Sequence, residues 1–285
     1  MSTNLEVGIV GLPNVGKSTL FKDTVNQVVS GGESLYITLV GLERQAADGR
    51  RGLATIDRNL EQLRLRQQLG QVSQQTVAEL EQTRAETVSQ LATLDANIRQ
   101  LKIQLQNLIG EAPTGELVLG PLPTQEEAVW EEPDYEADLE AAKAASWTLR
   151  DAQLTLDDAE ETWNDAKSTS KKYLYQQAEH TWNAAQLTYQ STVQNFETSF
   201  KTLYDSLANY EQVLENAQST LAWQQTLLET AQTRYELGQI SYSEVLTAQD
   251  NVAAAQSAVD SAWQDLFTAR NNYRWAVEYG LIQTS

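Results

Sequence analysis

Apolar residues in this chain recur in alternating steps of four and three, the spacing of a coiled-coil seam. One series runs Leu35, Leu39, Leu42, Ala46, Gly49, Leu53, Ile56, Leu60 and Leu63. It lapses around Gly70 and resumes as Leu91, Leu94, Ile98, Leu101, Leu105 and Leu108. A second series runs from Leu203 through Leu207, Tyr210, Leu214, Ala217, Leu221, Leu228 and Ala231 to Tyr235, lapses at Gly238, and resumes from Val245 to Ala276. Leu69-Gly70-Gln71-Val72-Ser73 reappears 168 positions later as Leu237-Gly238-Gln239-Ile240-Ser241, and Leu35, Tyr36, Leu39 and Glu43 align at the same offset with Leu203, Tyr204, Leu207 and Glu211. A fixed offset marks an internal repeat. The pattern predicts an all-α fold of long antiparallel coiled-coil helical hairpins in two pseudo-repeats, each arm on the order of 50 Å long.

The turn chemistry agrees with a reversal at each glycine. Gly70 and Gly238 fit the left-handed position just past a helix C-terminus, where a Cβ is costly, and Ser73 and Ser241 fit the N-cap of the next helix. Val72 with Val77, and Ile240 with Val245, are spaced as hydrophobic staples; Ser241 with Glu244 is spaced as a capping box. The first copy has Thr76 in place of that glutamate, which predicts a weaker cap.

Proline and glycine divide the chain. Apart from Pro13, every proline lies between Pro113 and Pro133, beside Gly115, Gly120, Glu126, Glu127, Glu131 and Glu132. The expected organisation is an incomplete N-terminal segment at 1–33, a first hairpin repeat at 34–112, a linker at 113–133 and a second repeat at 134–285. Beyond Asp134 the only glycines are Gly238 and Gly280, so 135–167 and 171–237 are expected as very long helices. Trp147, Trp163, Tyr173, Trp182, Tyr189, Phe196 and Phe200 read as packing residues. Ala248, Ala255, Ala262, Ala269 and Ala276 form a small-residue stripe that permits close helix approach, within one protomer or between protomers.

Charge narrows the function classes. With 20 Lys plus Arg against 39 Asp plus Glu, the net charge of −19 opposes nucleic-acid binding and docking on anionic lipid. No apolar run reaches the length of a transmembrane helix, and the N-terminus lacks a secretory-signal layout. Absence of cysteine excludes disulfides and thiolate metal sites.

The doubled pattern of a helix ending in leucine and glycine, then a hydrophobic residue, serine, and a helix opening near Val245, Leu246, Ala248 and Gln249 resembles the TolC-like outer-membrane efflux protein family. The resemblance implies a helical component of an efflux or export system. Gly70, Val72, Ser73, Tyr235, Gly238, Ile240, Ser241, Glu244 and Val245 would then lie at tips that dock an extracytoplasmic, adaptor-type helical hairpin protein. It also implies a homotrimer, an extracytoplasmic location (periplasmic, outer-membrane associated or at the cell surface), and passive conduction without catalysis. The family interrupts each half with membrane β-strands, yet 134–237 has no alternating segments of that kind, so a barrel-less, N-terminally truncated version is expected.

Gly11-Leu12-Pro13-Asn14-Val15-Gly16-Lys17-Ser18 matches the phosphate-binding P-loop, preceded by the strand-like Leu5–Val10 and followed by the helix-like Thr19–Val29. Backbone N–H groups around Gly11, Asn14 and Gly16 would cradle phosphate, Lys17 would reach its outer oxygens and Ser18 would hold Mg²⁺. Residues 6–21 resemble the opening of Obg-like or YchF-type GTPases. The chain has no Asp-x-x-Gly or Asn-Lys-x-Asp and no later strand–helix alternation to build a sheet. A fused or misjoined segment, with no nucleotide, metal or other cofactor bound, is therefore the expectation, and a P-loop GTP- or ATP-binding protein the alternative. A purely structural coiled-coil scaffold is a second alternative.

Other chemistry is thin. His180 lies in a helix beside Thr181 and Trp182, and Asp157, Asp158, Glu160 and Glu161 read as a solvated face. No catalytic constellation emerges.

Overall fold

The computed structural model describes residues 14–128, 130–168 and 172–282, with side chains from Thr24 onward. Six helices appear among them: α1 (Asn14–Gln68), α2 (Gln74–Ile109), α3 (Tyr135–Ala145), α4 (Trp147–Ala166), α5 (Lys172–Glu236) and α6 (Tyr242–Tyr279). The described residues contain no strand, so the chain is all-α as the seams predict. The strand-like Leu5–Val10 lies outside the described residues.

The chain forms two compact units. One comprises Gly32–Val129 with Asn209–Thr268; the other comprises α1 up to Gly31, Trp130–Ala208, and the chain from Ala269 onward. We call the first the hairpin unit and the second the kink unit.

Two seams make the core of the hairpin unit. Between α1 and α2, Leu39, Ala46, Ile98 and Leu105 are buried, with Leu35, Leu42, Leu94 and Leu101 packed around them. Between α5 and α6, Leu214, Val259, Ala262 and Leu266 are buried, flanked by Tyr210, Ala217 and Leu221. Gly49 lets α1 approach α2, since a Cβ there would lie 2.7 Å from a Leu91 methyl. Ala255 and Ala262 of the small-residue stripe are buried within this unit, and Ala269 and Ala276 within the other, so the stripe packs inside one protomer. Leu108 departs from its seam position and is exposed.

The 113–128 stretch lies along this unit without helix or strand, turning at 125–127. Leu117 and Leu119 close over the α1/α2 seam. The Gln106 side chain accepts from Gly115 N–H (2.8 Å), Tyr36 donates its hydroxyl to Gly120 O (2.8 Å), and Trp263 donates its indole N–H to Pro123 O (3.0 Å). Backbone groups lacking a helical ladder are thus partly satisfied by side chains from the helices beneath.

In the kink unit, Asp134 caps α3 by accepting from the N–H groups of Glu136 and Ala137. Asp138 answers by accepting from Asp134 N–H (3.0 Å) and also takes the Tyr273 hydroxyl (2.7 Å). Burial and this carboxylate push the Tyr273 phenol far above its ordinary range. Around it the rings of Tyr135, Phe200 and Tyr204 meet in tilted or edge-on pairs, with Phe200 fully buried.

The continuous helix expected over 135–167 is broken at Ser146. This buried residue adopts extended backbone (φ −69°, ψ 117°), ends α3, and caps α4 by accepting from Leu149 N–H. Across the unit Gly280, at φ +64°, packs its backbone closely against Ser146. Tyr173 departs from the packing role as well, being 68% exposed, whereas Phe196 and Phe200 are buried.

Candidate functional site

Both hairpin tips belong to the hairpin unit. At the first, Gly70 takes φ +71°, its N–H donates to Gln67 O (2.9 Å) and Gln71 N–H reaches back to Arg66 O (2.9 Å). At the second, Gly238 takes φ +68°, with bonds to Tyr235 O (2.9 Å) and from Gln239 N–H to Arg234 O (2.8 Å). These are two Schellman closures, and they satisfy helix-terminal carbonyls in the same way twice. No atom lies within 4 Å of where a Cβ would stand at either glycine, so backbone conformation alone selects the residue.

The caps differ. Ser73 accepts from Thr76 N–H (3.1 Å) and its hydroxyl pairs with that of Thr76 (2.9 Å). At the second tip Glu244 accepts from both the N–H (2.8 Å) and the hydroxyl (3.0 Å) of Ser241, a capping box made from the glutamate side only. Those two donors hold the Glu244 carboxyl below the usual glutamate range. Val77 and Val245 are buried at the staple positions, with Val72 and Ile240 half-buried before them.

Each tip leaves apolar surface uncovered. Leu69 and Leu237 are about two-thirds exposed at equivalent positions. The second tip adds Tyr235 and Tyr242, whose rings meet at 5.6 Å and which remain 45% and 55% exposed. The first has Gln67 and Gln74 at those places. The tips are alike in backbone and unlike in surface.

A polar ladder joins the two hairpins along α1 and α6. Arg58 binds both carboxylate oxygens of Asp250 (2.8 Å each), Arg51 donates to the Ser257 hydroxyl (2.8 Å), and Arg44 donates to the Gln264 side chain (2.6 Å) and Asp260 O (2.7 Å). Steps of seven separate Arg44, Arg51 and Arg58, and likewise Asp250, Ser257 and Gln264, so antiparallel heptads place one rung per two turns. Gln264 also donates to Ile37 O (2.9 Å) through the gap left by Gly41, where a Cβ would fall 2.1 Å from its amide nitrogen. The ladder was not anticipated; arginine at a strict seven-residue spacing was its signal.

Asn14, Gly16, Lys17 and Ser18 fall within the first turns of α1, and their side chains, with Gly11, lie outside the described residues. No cluster of His, Cys, Asp or Glu suited to a metal occurs among the described residues. His180 and the 157–161 carboxylates lie on exposed surface.

The helical fold is that of outer membrane channels. The chain superposes on the outer membrane protein VceC from Vibrio cholerae with a TM-score of 0.60 at 15% identity, covering 89% of this chain and 70% of that one. The outer-membrane channel OprN gives a TM-score of 0.64 at 14% identity, over 94% of this chain and 69% of that one. The open state of the MtrE outer membrane channel from Neisseria gonorrhoeae gives 0.61 at 14% identity, over 94% and 70%. A family model described as 50S ribosome-binding GTPase matches residues 6–112. The described part of that span is the α1/α2 hairpin with the three residues after α2, without a strand, whereas a P-loop fold rests on a sheet. A comparison with curated protein sequences finds no match.

Proposed function

We propose that the chain is a barrel-less helical component of an efflux or export system that works by recognition, with the two glycine tips docking the helical hairpin of an extracytoplasmic adaptor-type protein. The observation that carries this reading is the pair of Schellman-closed tips with uncovered leucine and tyrosine side chains, set on the fold of outer membrane channels. A closed turn presents those side chains at fixed positions, which lowers the ordering cost of binding. Conduction through a homotrimer, and a periplasmic or cell-surface location, belong to the same reading.

The test is titration of the full chain with a labelled helical hairpin from an adaptor protein of an outer membrane channel. Micromolar binding, weakened at least tenfold by Gly238→Leu with helicity retained, supports docking. Equal binding by the variant, or none by either, leaves a structural scaffold.

The family-model match over 6–112 supports a second reading, a P-loop GTP- or ATP-binding protein. A ligand that binds only the folded state raises the melting temperature. Nucleotide-dependent stabilisation abolished by Lys17→Ala supports this alternative, and no stabilisation at millimolar GTP or ATP removes it.

A further inference from the structure

The internal repeat continues up α1 beyond the hairpin seam. At the same 168-residue offset Thr24-Val25 recurs as Thr192-Val193 and Leu35-Tyr36 as Leu203-Tyr204, so Val28 and Val29 stand where α5 has Phe196 and Glu197. Residues 24–29 and their counterparts 192–197 both belong to the kink unit, which the tip-docking reading leaves unused. On α5 this side is covered. α3 runs back along it: the Tyr135 ring meets those of Tyr204 (5.2 Å) and Phe200 (6.1 Å), the Lys143 ammonium binds Glu197 (2.7 Å), and Phe196 is buried. On α1 the same side is bare. Val25, Val28 and Val29, spaced i, i+3 and i+4 on one helix side, are 42%, 48% and 45% exposed.

We infer that the Val25, Val28 and Val29 side of α1 seats an amphipathic helix of a partner chain, laid antiparallel as α3 lies on α5 and apolar where α3 has Lys143. The repeat supplies the geometry, since the same side of the equivalent helix is covered by a helix of this kind. The exchange of Glu197 for Val29 supplies the chemistry. An ammonium pressed on Val29 loses water and gains no carboxylate, which is unfavourable, whereas an aliphatic side chain there buries apolar surface on both partners. The α3 of a second copy carries Lys143 at that point and is already engaged with its own Glu197, so it is the wrong occupant. Docking of this type is read by apolar anchors at i, i+3 and i+4, the spacing that the three valines present.

The test is titration of the full chain, followed by fluorescence anisotropy, with two labelled peptides of residues 133–167, one native and one carrying Lys143→Leu. Both keep the Asp134 cap and span α3 and α4. The Lys143→Leu peptide is expected to bind at micromolar concentration, roughly tenfold tighter than the native peptide. Val25→Asp with Val28→Asp in the full chain, at exposed helix positions that leave circular dichroism unchanged, is expected to weaken it at least tenfold. Val25→Ala with Val28→Ala, which adds no charge and favours the helix, is expected to weaken it by a smaller factor. Gly238→Leu should bind the peptide like the parent, which separates this surface from the tips. No binding of the Lys143→Leu peptide at hundreds of micromolar, or binding undiminished by both valine variants, overturns the proposal. So does equal binding of the native peptide, or self-association of the chain that Val25→Asp with Val28→Asp abolishes, since the surface then serves a second copy.

Discussion

Gly280 and Ser146 meet backbone to backbone: a Cβ on Gly280 would lie 2.3 Å from Ser146 Cα and 2.4 Å from its nitrogen. Ser146 breaks the helix there, and Gly280 ends α6 at φ +64°. Gly238 shares the left-handed conformation, at φ +68°, but has open space around it. The two glycines therefore separate conformational strain from steric conflict. Gly238→Ala should cost about 1–2 kcal/mol, the left-handed penalty alone. Gly280→Ala should cost more, on the order of 3 kcal/mol, because neither backbone can move aside cheaply. Urea unfolding of the two variants checks the order; equal losses would mean that the contact carries no weight.

The Arg58–Asp250 rung is only partly exposed, each side chain keeping about 40% of its surface. Screened pairs of this kind are worth little, and here a single guanidinium nitrogen, Nη2, serves both carboxylate oxygens. A double-mutant cycle with Arg58→Ala and Asp250→Ala should give a coupling of about 0.5–1 kcal/mol that shrinks between 0.05 M and 0.5 M NaCl. A coupling insensitive to salt would argue that the ladder is steric rather than electrostatic.

Glu244 gives the second tip an acid sensitivity that the first lacks. Its folded-state pKa is depressed by the Ser241 donors, so its contribution is complete above the ordinary glutamate pKa of about 4.3 and is lost as pH falls through the lower folded value. The protection factor of the Ser241 amide should therefore fall in acid, below the ordinary glutamate range, while that of the Thr76 amide, bonded to a serine hydroxyl, stays level. Glu244→Gln should flatten the Ser241 profile. Hydrogen exchange of the two amides across this range is the measurement, and parallel profiles would remove the carboxylate's role.

Much of the fold was legible because its signals are local. Leu39, Ala46, Ile98 and Leu105 sit where the seam put them, and Gly70 and Gly238 reverse the chain where a left-handed residue was required. The Ser146 break was not legible: serine is tolerated inside helices, and the backbone that packs against it comes from Gly280, 134 positions away. Arg44, Arg51 and Arg58 were hidden for another reason, since charged side chains at heptad spacing read as a solvated face until a partner helix is known. Tyr173 failed as a core residue because aromatic spacing alone does not say which face of a helix is covered.

The absence of cysteine allows one reactive thiol to be placed at will. Gln239→Cys puts it on the second tip and Val118→Cys on the 113–128 stretch, where the native side chain is 92% exposed. With an adaptor hairpin carrying a single photo-crosslinker at its own turn, tip docking predicts a cross-linked product from Gln239→Cys and none from Val118→Cys. Equal cross-linking from both, or none at Gln239→Cys at saturating hairpin, would contradict recognition through the tips.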